Sequence, residues 1–553
     1  MENTLSQLLA NDTPVRGEGK CQNPTTLDRE RWELLDDLQN NILSSHRKSN
    51  TNFYFLRFPD GDPTQWKYLL GMLARTGIER EVLFRTLRDP DVVGSLPEGT
   101  FKEFLQQTGQ RSGPLYLDEE TYKKITDFRL VSERDMGRQL SNGKAPAYIV
   151  SLLLSSKGYK KLGGLLPEDP AFGEGMAARK QKLNDVWPKG EKTGPNEEKD
   201  PYSDADALLV VAFDGDPKAI GEPLEVLESV VKRFSDCVHI DRGQVLRTKD
   251  KDGAESKNLI EPFGFADGVS QPRFYERDPG LPPPAHEVVY SSLGVALVPD
   301  PNGRTPYAAG SYFVYRKLRQ DIEAFYAQAQ AMATAGGRQL EEVLEELIGR
   351  KRDGSSLFGN SAEDNTFDYT KDARGERCPF HAHVRRVNPR SDVPALERRA
   401  LVRRGVPYGP AIERKDNGEP KLTGGKVQLA PSETQEPSAE VGLLFFAAQA
   451  SLERQFEHIQ STWANSARFP WGKVSGADPV MGQLPERGSN ANGPVREPNM
   501  IANRYRDNAA PQNFFSRGLD TEWKPVVEFK GGEYFFAPSI SYLRSLLDQL
   551  MKG

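Results

Sequence analysis

An α+β fold follows from three features of this 553-residue chain. Short apolar runs bounded by polar turns recur as strand candidates. Amphipathic stretches of helical period stand among them. The two interleave without the regular strand–helix–strand rhythm of a doubly wound parallel sheet. Hydrophobic residues make up 37% of the chain and charged residues 27%, enough apolar material for a large interior under a polar surface. The length exceeds one ordinary core, so two domains or one large duplicated domain is expected.

Residues 1–28 are polar and read as a loosely ordered segment. Phe53, Phe55 and Phe58, with Leu56, read as a buried strand. Ala147–Leu154 (A-Y-I-V-S-L-L-L) and Ala207–Phe213 (A-L-L-V-V-A-F) are further strands. Leu340, Val343, Leu344, Leu347 and Ile348 fall at i, i+3, i+4, i+7 and i+8. That spacing predicts one apolar face of a helix, with Glu341, Glu342, Glu345 and Glu346 on its wet side. The chain closes with a helix whose Leu543, Leu546, Leu547 and Leu550 share a face and whose N-cap is Ser539. Polar inserts at Lys189–Asp206, Arg277–Pro284, Lys351–Glu376 and Asp416–Ser438 read as surface loops.

The net charge of −6 argues against a nucleic-acid footprint. No window approaches 18 consecutive apolar residues, so no membrane span is expected. The opening M-E-N-T-L-S-Q-L-L-A lacks a basic region and a long apolar run. A cytoplasmic location is therefore expected, with signal-less secretion as the alternative. Three cysteines (Cys21, Cys237, Cys378) imply no disulfide framework. Phosphate-cradling G-x-x-x-x-G-K-[ST] and zinc-binding H-E-x-x-H patterns do not occur.

Two segments carry chemistry. In Glu261–Ser270, E-P-F-G-F-A-D-G-V-S, an acid stands between glycines with apolar neighbours. Asp267 reads either as turn chemistry or as a carboxylate prepared for proton transfer. In Cys378–Arg390, C-P-F-H-A-H-V-R-R-V-N-P-R, His381 and His383 are two apart. On a strand they would share a face, and with Cys378 they could make part of a metal site that lacks a fourth ligand. Seven arginines (385, 386, 390, 398, 399, 403 and 404) follow within a short stretch. They suit either a solvated face or an anionic ligand.

These segments, with L-V-R-R-G-V-P-Y-G from Leu401, resemble the dye-decolorizing peroxidase family. Gly264, Asp267 and Gly268 meet its G-x-x-D-G signature, and C-P-x-x-x-H-x-R-x-x-N-P-R is met from Cys378. Leu34–Phe58, G-S-Y-F-V-Y-R-K-L from Gly310, G-L-L-F-F-A-A-Q from Gly442 and E-R-Q-F-E-H-I-Q from Glu453 extend the likeness over most of the chain. The resemblance implies two ferredoxin-like halves, residues 29–305 and 306–553 after the polar segment, forming a dimeric α+β barrel. It implies one haem b per chain. His383 would be the axial iron ligand, its ring held by Asp478 of G-A-D-P-V-M-G. Position 381 is usually small in the family, so His381 is a departure that leaves a second imidazole beside the first.

On the same resemblance, Asp267 is the distal acid and base and Arg403 the charge stabiliser, with Arg404 the second choice. Arg390 would meet the propionates, and Gly264 and Gly268 would let backbone approach the cofactor. The pair Leu443 and Phe445, or the pair Leu444 and Phe446, would form the dry wall. Bulky reductants would be oxidised at Trp463, Trp471 or Tyr408. The implied function is reduction of hydrogen peroxide with one-electron oxidation of phenolic and anthraquinone-type dyes, by a monomer or homodimer. A haem carrier or iron-release protein on the same fold is the alternative, and a non-haem metal hydrolase using Cys378, His381 and His383 is a third reading.

Overall fold

A computed structural model describes residues 2–11, 13–16, 23, 25–75, 79, 90–96, 99, 102–103, 128–188, 191–194, 197–215, 221–249, 255–276, 290–359, 365, 367–393, 399–428, 430, 440–470, 476–484, 486–490, 493–496, 499–502 and 520–552. Its centre is one large antiparallel sheet. In chain order the strands are β1 (Asn50–Arg57), β2 (Tyr148–Leu154), β3 (Ala207–Phe213), β4 (Asp236–Gln244), β5 (Ala309–Gln320), β6 (Val402–Arg403), β7 (Val406–Tyr408), β8 (Gly442–Gln449) and β9 (Val527–Ala537). They lie side by side as β6-β8-β5-β9-β2-β3-β1-β4, with β7 also paired to β8.

That order is one motif used twice. Within β1–β4 the sequence strands stand 2-3-1-4. Within β5–β9, with β6 and β7 together as the second strand, they stand 2-3-1-4 again. This is the ferredoxin-like α+β arrangement, and the two copies join edge to edge where Leu154 of β2 pairs with Phe536 of β9. The free ends approach each other without a ladder. A Cβ on Gly243 of β4 would lie 2.3 Å from Val406 Cγ1 of β7. The end strands thus touch by packing, and among the described residues no ladder closes the sheet into a barrel.

Strand alternation sorts the side chains into two layers. Phe53, Phe55, Leu208, Val210, Phe313, Tyr315, Leu444, Phe446 and Phe535 turn into one buried core between the strands. Tyr54, Leu56, Leu209, Val211, Val314, Tyr534 and Phe536 turn the other way, against helices that include α1 (Thr64–Leu73) and α5 (Ile540–Lys552). Ser539 caps α5 as its sequence predicts, accepting from the Tyr542 amide at 3.3 Å. Between β5 and β6 the chain forms α2 (Ile322–Gly336), α3 (Leu340–Ile348) and the short α4 (His383–Val387). On α3, Val343, Leu344, Leu347 and Ile348 are buried as the spacing predicts.

Three expectations change. The N-terminal segment is not loose throughout: Glu2–Ala10 is helical, with Leu5, Leu8 and Leu9 buried. Those three leucines make an apolar stripe that outweighs the polar average. Two inserts contain small ladders, Glu191–Gly194 with Glu197–Lys199 and Leu422–Thr423 with Lys426–Val427. Residues 381–383 are not a strand, because the chain turns there and His383 opens α4. The insert 277–284 lies outside the described residues. Among the described residues no helix is long and apolar enough to cross a membrane.

Candidate active site

A cavity of about 410 Å³ lies between the outer face of the second strand set and its helical connections. Alternation decides what the sheet contributes. Arg316, Leu318 and Gln320 of β5, Leu443 and Phe445 of β8, and Val527 and Phe529 of β9 all face the cavity. The pair Leu444 and Phe446 faces the inner core instead. One wall is thus a sheet surface, mainly apolar.

The first connection supplies His383. Its Nδ1 lies 2.9 Å from Asp478 Oδ2. Asp478 is 1% exposed, and its other oxygen accepts the amides of Val480 at 2.8 Å and Met481 at 3.0 Å. Burial pushes this carboxyl up, but the imidazole and the two amides outweigh it and hold it ionised, below its usual range. Burial likewise opposes charge on His383, and the Asp478 carboxylate reverses the sign, raising the imidazole. A carboxylate on Nδ1 fixes that nitrogen as the donor. His383 lines the cavity and Asp478 does not. The opposite nitrogen, Nε2, is therefore left with its lone pair for a ligand in the cavity.

His381 does not share this site. It is 3% exposed, its Nδ1 has no hydrogen-bond partner, and it does not line the cavity. Burial first, then Arg386, pushes its imidazole down to about 3. Cys378 is also buried, its thiol pushed up to about 12 chiefly by burial. Among the described residues no group of three or more His, Cys, Asp or Glu side chains is arranged to hold a metal ion. The Cys378–His381–His383 reading is therefore overturned.

Asp267 reaches the cavity from a different part of the chain. The short strand Ala266–Asp267 pairs back on Leu259–Ile260, and Gly268 then takes φ +75°. The turn chemistry of A-D-G is thus present, and it sets Asp267 on the cavity. Asp267 Oδ1 accepts the Gly268 amide at 2.6 Å and Arg403 Nη1 at 2.8 Å. Burial alone would raise this carboxyl, but the Arg403 charge and the Gly268 N–H hold it below the usual carboxylate range. Asp267 and Arg403 keep 32% and 35% of their side-chain surface open, as expected of groups that face a cavity. Arg404 points elsewhere, donating to the carbonyls of Asn41 and Ile42.

Arg390 lines the same cavity in a left-handed backbone conformation, φ +46°. Its guanidinium lies 3.9 Å from the Phe367 ring centre. Arg350, which the sequence did not single out, lies over that ring at 4.6 Å and also lines the cavity. Burial, then Arg390 and Arg403, pulls its guanidinium down to about 10. Only its place in the fold marks it, since it sits at the edge of an insert read as surface. Gly268 lines the cavity; Gly264 does not. Gly264 instead takes φ +95° in the hairpin, where a Cβ would come within 2.7 Å of the Gly418 carbonyl oxygen.

Two of the three aromatic candidates for remote oxidation lie among the described residues. Trp463 is 1% exposed and stacks on Phe469, so it presents no surface. Tyr408 borders a second cavity of about 450 Å³, with Lys317 Nζ 5.0 Å from its ring centre. Trp471 lies outside the described residues.

The family model described as Dyp-type peroxidase, C-terminal, matches residues 263–468. A multifunctional dye peroxidase of Amycolatopsis sp. is 34% identical over 420 residues, which cover 71% of this chain and 81% of that protein. A dye-decolorizing peroxidase of Mycetinis scorodonius is 26% identical over 431 residues, covering 73% and 77%. Among solved structures, an Anabaena sp. DyP-type peroxidase superposes with a TM-score of 0.67 over 98% of this chain and 99% of that one, at 24% identity, a likeness of fold. The Amycolatopsis enzyme superposes with a TM-score of 0.65 at 26% identity, over 97% and 100%. A chain that shares this much sequence with such enzymes and sets an acid, a guanidinium and a carboxylate-held imidazole around one cavity belongs to the dye-decolorizing peroxidase family.

Proposed function

We propose that the cavity holds one haem b per chain and that the enzyme reduces hydrogen peroxide there, oxidising phenolic and anthraquinone-type dyes in one-electron steps. The observation that carries this reading is the convergence of His383, Asp267 and Arg403 on one cavity. The surrounding residues fit such a group. Arg350, Arg390, Arg399 and Arg403 line the cavity, and Arg316 is paired with Asp185 at 2.6 Å. Guanidinium groups suit a ligand with two carboxylates, and Arg390 and Arg350 would be its partners. Leu443, Phe445, Ile459 and Val480 suit the flat apolar remainder. His383 Nε2 would hold the iron, Asp478 making the ring a stronger donor.

When bound, the haem would supply an iron that binds peroxide and stores oxidising equivalents. The chain's own groups handle the proton. Asp267 is ionised, and Oδ1 is occupied by Gly268 and Arg403. Its Oδ2 is the atom that takes a proton from one peroxide oxygen and returns it to the other, which leaves as water. The Arg403 guanidinium stabilises negative charge growing on the departing oxygen. A haem carrier would need neither group, which favours the enzyme reading.

Asp267→Asn tests this. The variant is expected to keep its haem absorption while its reaction with peroxide slows by about 10²–10⁴-fold, the range for a lost acid–base group. An unchanged rate would remove Asp267 from the mechanism.

A further inference from the structure

Arg403 stands on a strand of two residues, Val402–Arg403, at the edge of the sheet. Such a short edge has little to fix it, and its partner strand β8 holds only one side. The other side is held by side chains, Arg404 Nη1 donating to the Arg403 carbonyl at 2.9 Å and Gln271 holding both backbone groups. The Arg403 amide donates to Gln271 Oε1 at 3.0 Å, and Gln271 Nε2 donates to the Arg403 carbonyl at 3.3 Å. One carboxamide thus pairs with both backbone groups of Arg403, as a neighbouring strand would. Beyond the backbone, Arg403 Nη2 donates to the Ser270 carbonyl at 3.2 Å and Nη1 to Asp267 at 2.8 Å. The loop 267–271 therefore grips Arg403 at four points, two of them through Gln271.

We propose that Gln271 is a positioning residue for peroxide reduction, fastening the Arg403 backbone so that its guanidinium reaches Asp267. This deepens the role proposed for Arg403 and Asp267 and rests on it. Gln271 lines the cavity, but its hydrogen-bonding groups are turned to the Arg403 backbone, so it acts through Arg403. Removing the carboxamide releases the Arg403 backbone from the loop, while Asp267 and Ser270 still meet its guanidinium. A shift of about 1 Å in such a group costs on the order of 10²-fold at most.

The test is a double-mutant cycle in the haem-loaded enzyme, following the bimolecular rate constant with hydrogen peroxide by stopped flow. Gln271→Leu is expected to lower that constant about tenfold or more, with KM for a small phenolic reductant unchanged. In an Arg403→Leu background the same change is expected to do less than twofold, because the group it positions is gone. Equal factors in the two backgrounds would make Gln271 merely structural and overturn the proposal, as would no effect in the parent. If Gln271→Leu does not fold, Gln271→Glu serves. It keeps the acceptor for the Arg403 amide and loses the donor to the carbonyl, so an intermediate loss is expected that also vanishes without Arg403. A Gln271→Glu variant indistinguishable from the parent would overturn the proposal. Arg403→Leu alone reports separately on the proposed function: if it leaves the rate intact, the role of Arg403 fails.

Discussion

Replacing Asp478 by Asn changes one buried oxygen into an NH2 group without changing shape, and the structure leaves that group no harmless orientation. Asp478 now uses both oxygens, Oδ2 toward His383 Nδ1 at 2.9 Å and Oδ1 for the Val480 and Met481 amides at 2.8 and 3.0 Å. If the Asn oxygen keeps the two amides, its NH2 faces Nδ1. The imidazole must then move its proton to Nε2, the nitrogen needed by iron. If the Asn flips, its oxygen serves His383, and two buried backbone donors face a third donor, at about 1–3 kcal/mol each. Either orientation forfeits a charge-assisted bond worth about 1.5–3 kcal/mol. At 1.4 kcal/mol per decade, haem affinity should fall roughly 10–100-fold, which matches the usual effect of losing such a partner of a metal-bound histidine. The assay is titration of the haem-free protein with haem, read from the absorption band of the bound form. Thermal melting of the same sample would check that the variant folds. An Asn variant that binds as tightly as the parent, with the same spectrum, would refute the reasoning.

His383→Ala is expected to lose haem while His381→Ala retains it; the reverse pattern in purified protein would move the ligand to His381. For pH, Asp267 is held below the ordinary carboxylate value of about 3.9 and must be ionised to accept a proton. The peroxide rate should therefore hold through mildly acid pH and fall only as pH drops through that lowered value. Arg403→Leu should move the fall upward, and a stopped-flow pH profile with an unmoved acid limb would contradict this. Gly268→Ala meets no atom within 4 Å and should cost only the backbone term of φ +75°, about 1–2 kcal/mol. Gly264→Ala adds a 2.7 Å clash with the Gly418 carbonyl and should melt well below Gly268→Ala in calorimetry.

Much of the secondary structure was legible because its signals are local. The strand Ala207–Phe213 and the helix Leu340–Ile348 occur within the bounds their apolar patterns predict. Both rest on periodicity read over a few residues. The motif around Asp267 carried its own turn chemistry, and the motif around His383 carried the family likeness. The leucine stripe at residues 5–9 was present too, hidden by the polar average around it.

What the sequence ranked without geometry were near neighbours: His383 over His381, Arg403 over Arg404, and the pair Leu443 and Phe445 beside the pair Leu444 and Phe446. Moving one position along a strand turns a side chain to the opposite layer. Which layer faces the cavity depends on the pairing of β8 with β5 across more than a hundred residues. The contact between His383 and Asp478 spans 95 residues, and that between Asp267 and Arg403 spans 136. Residue types and short-range pattern were written along the chain. Their meeting was set by strand order and register, because only packing the duplicated sheet against its connecting helices brings such distant groups to one cavity.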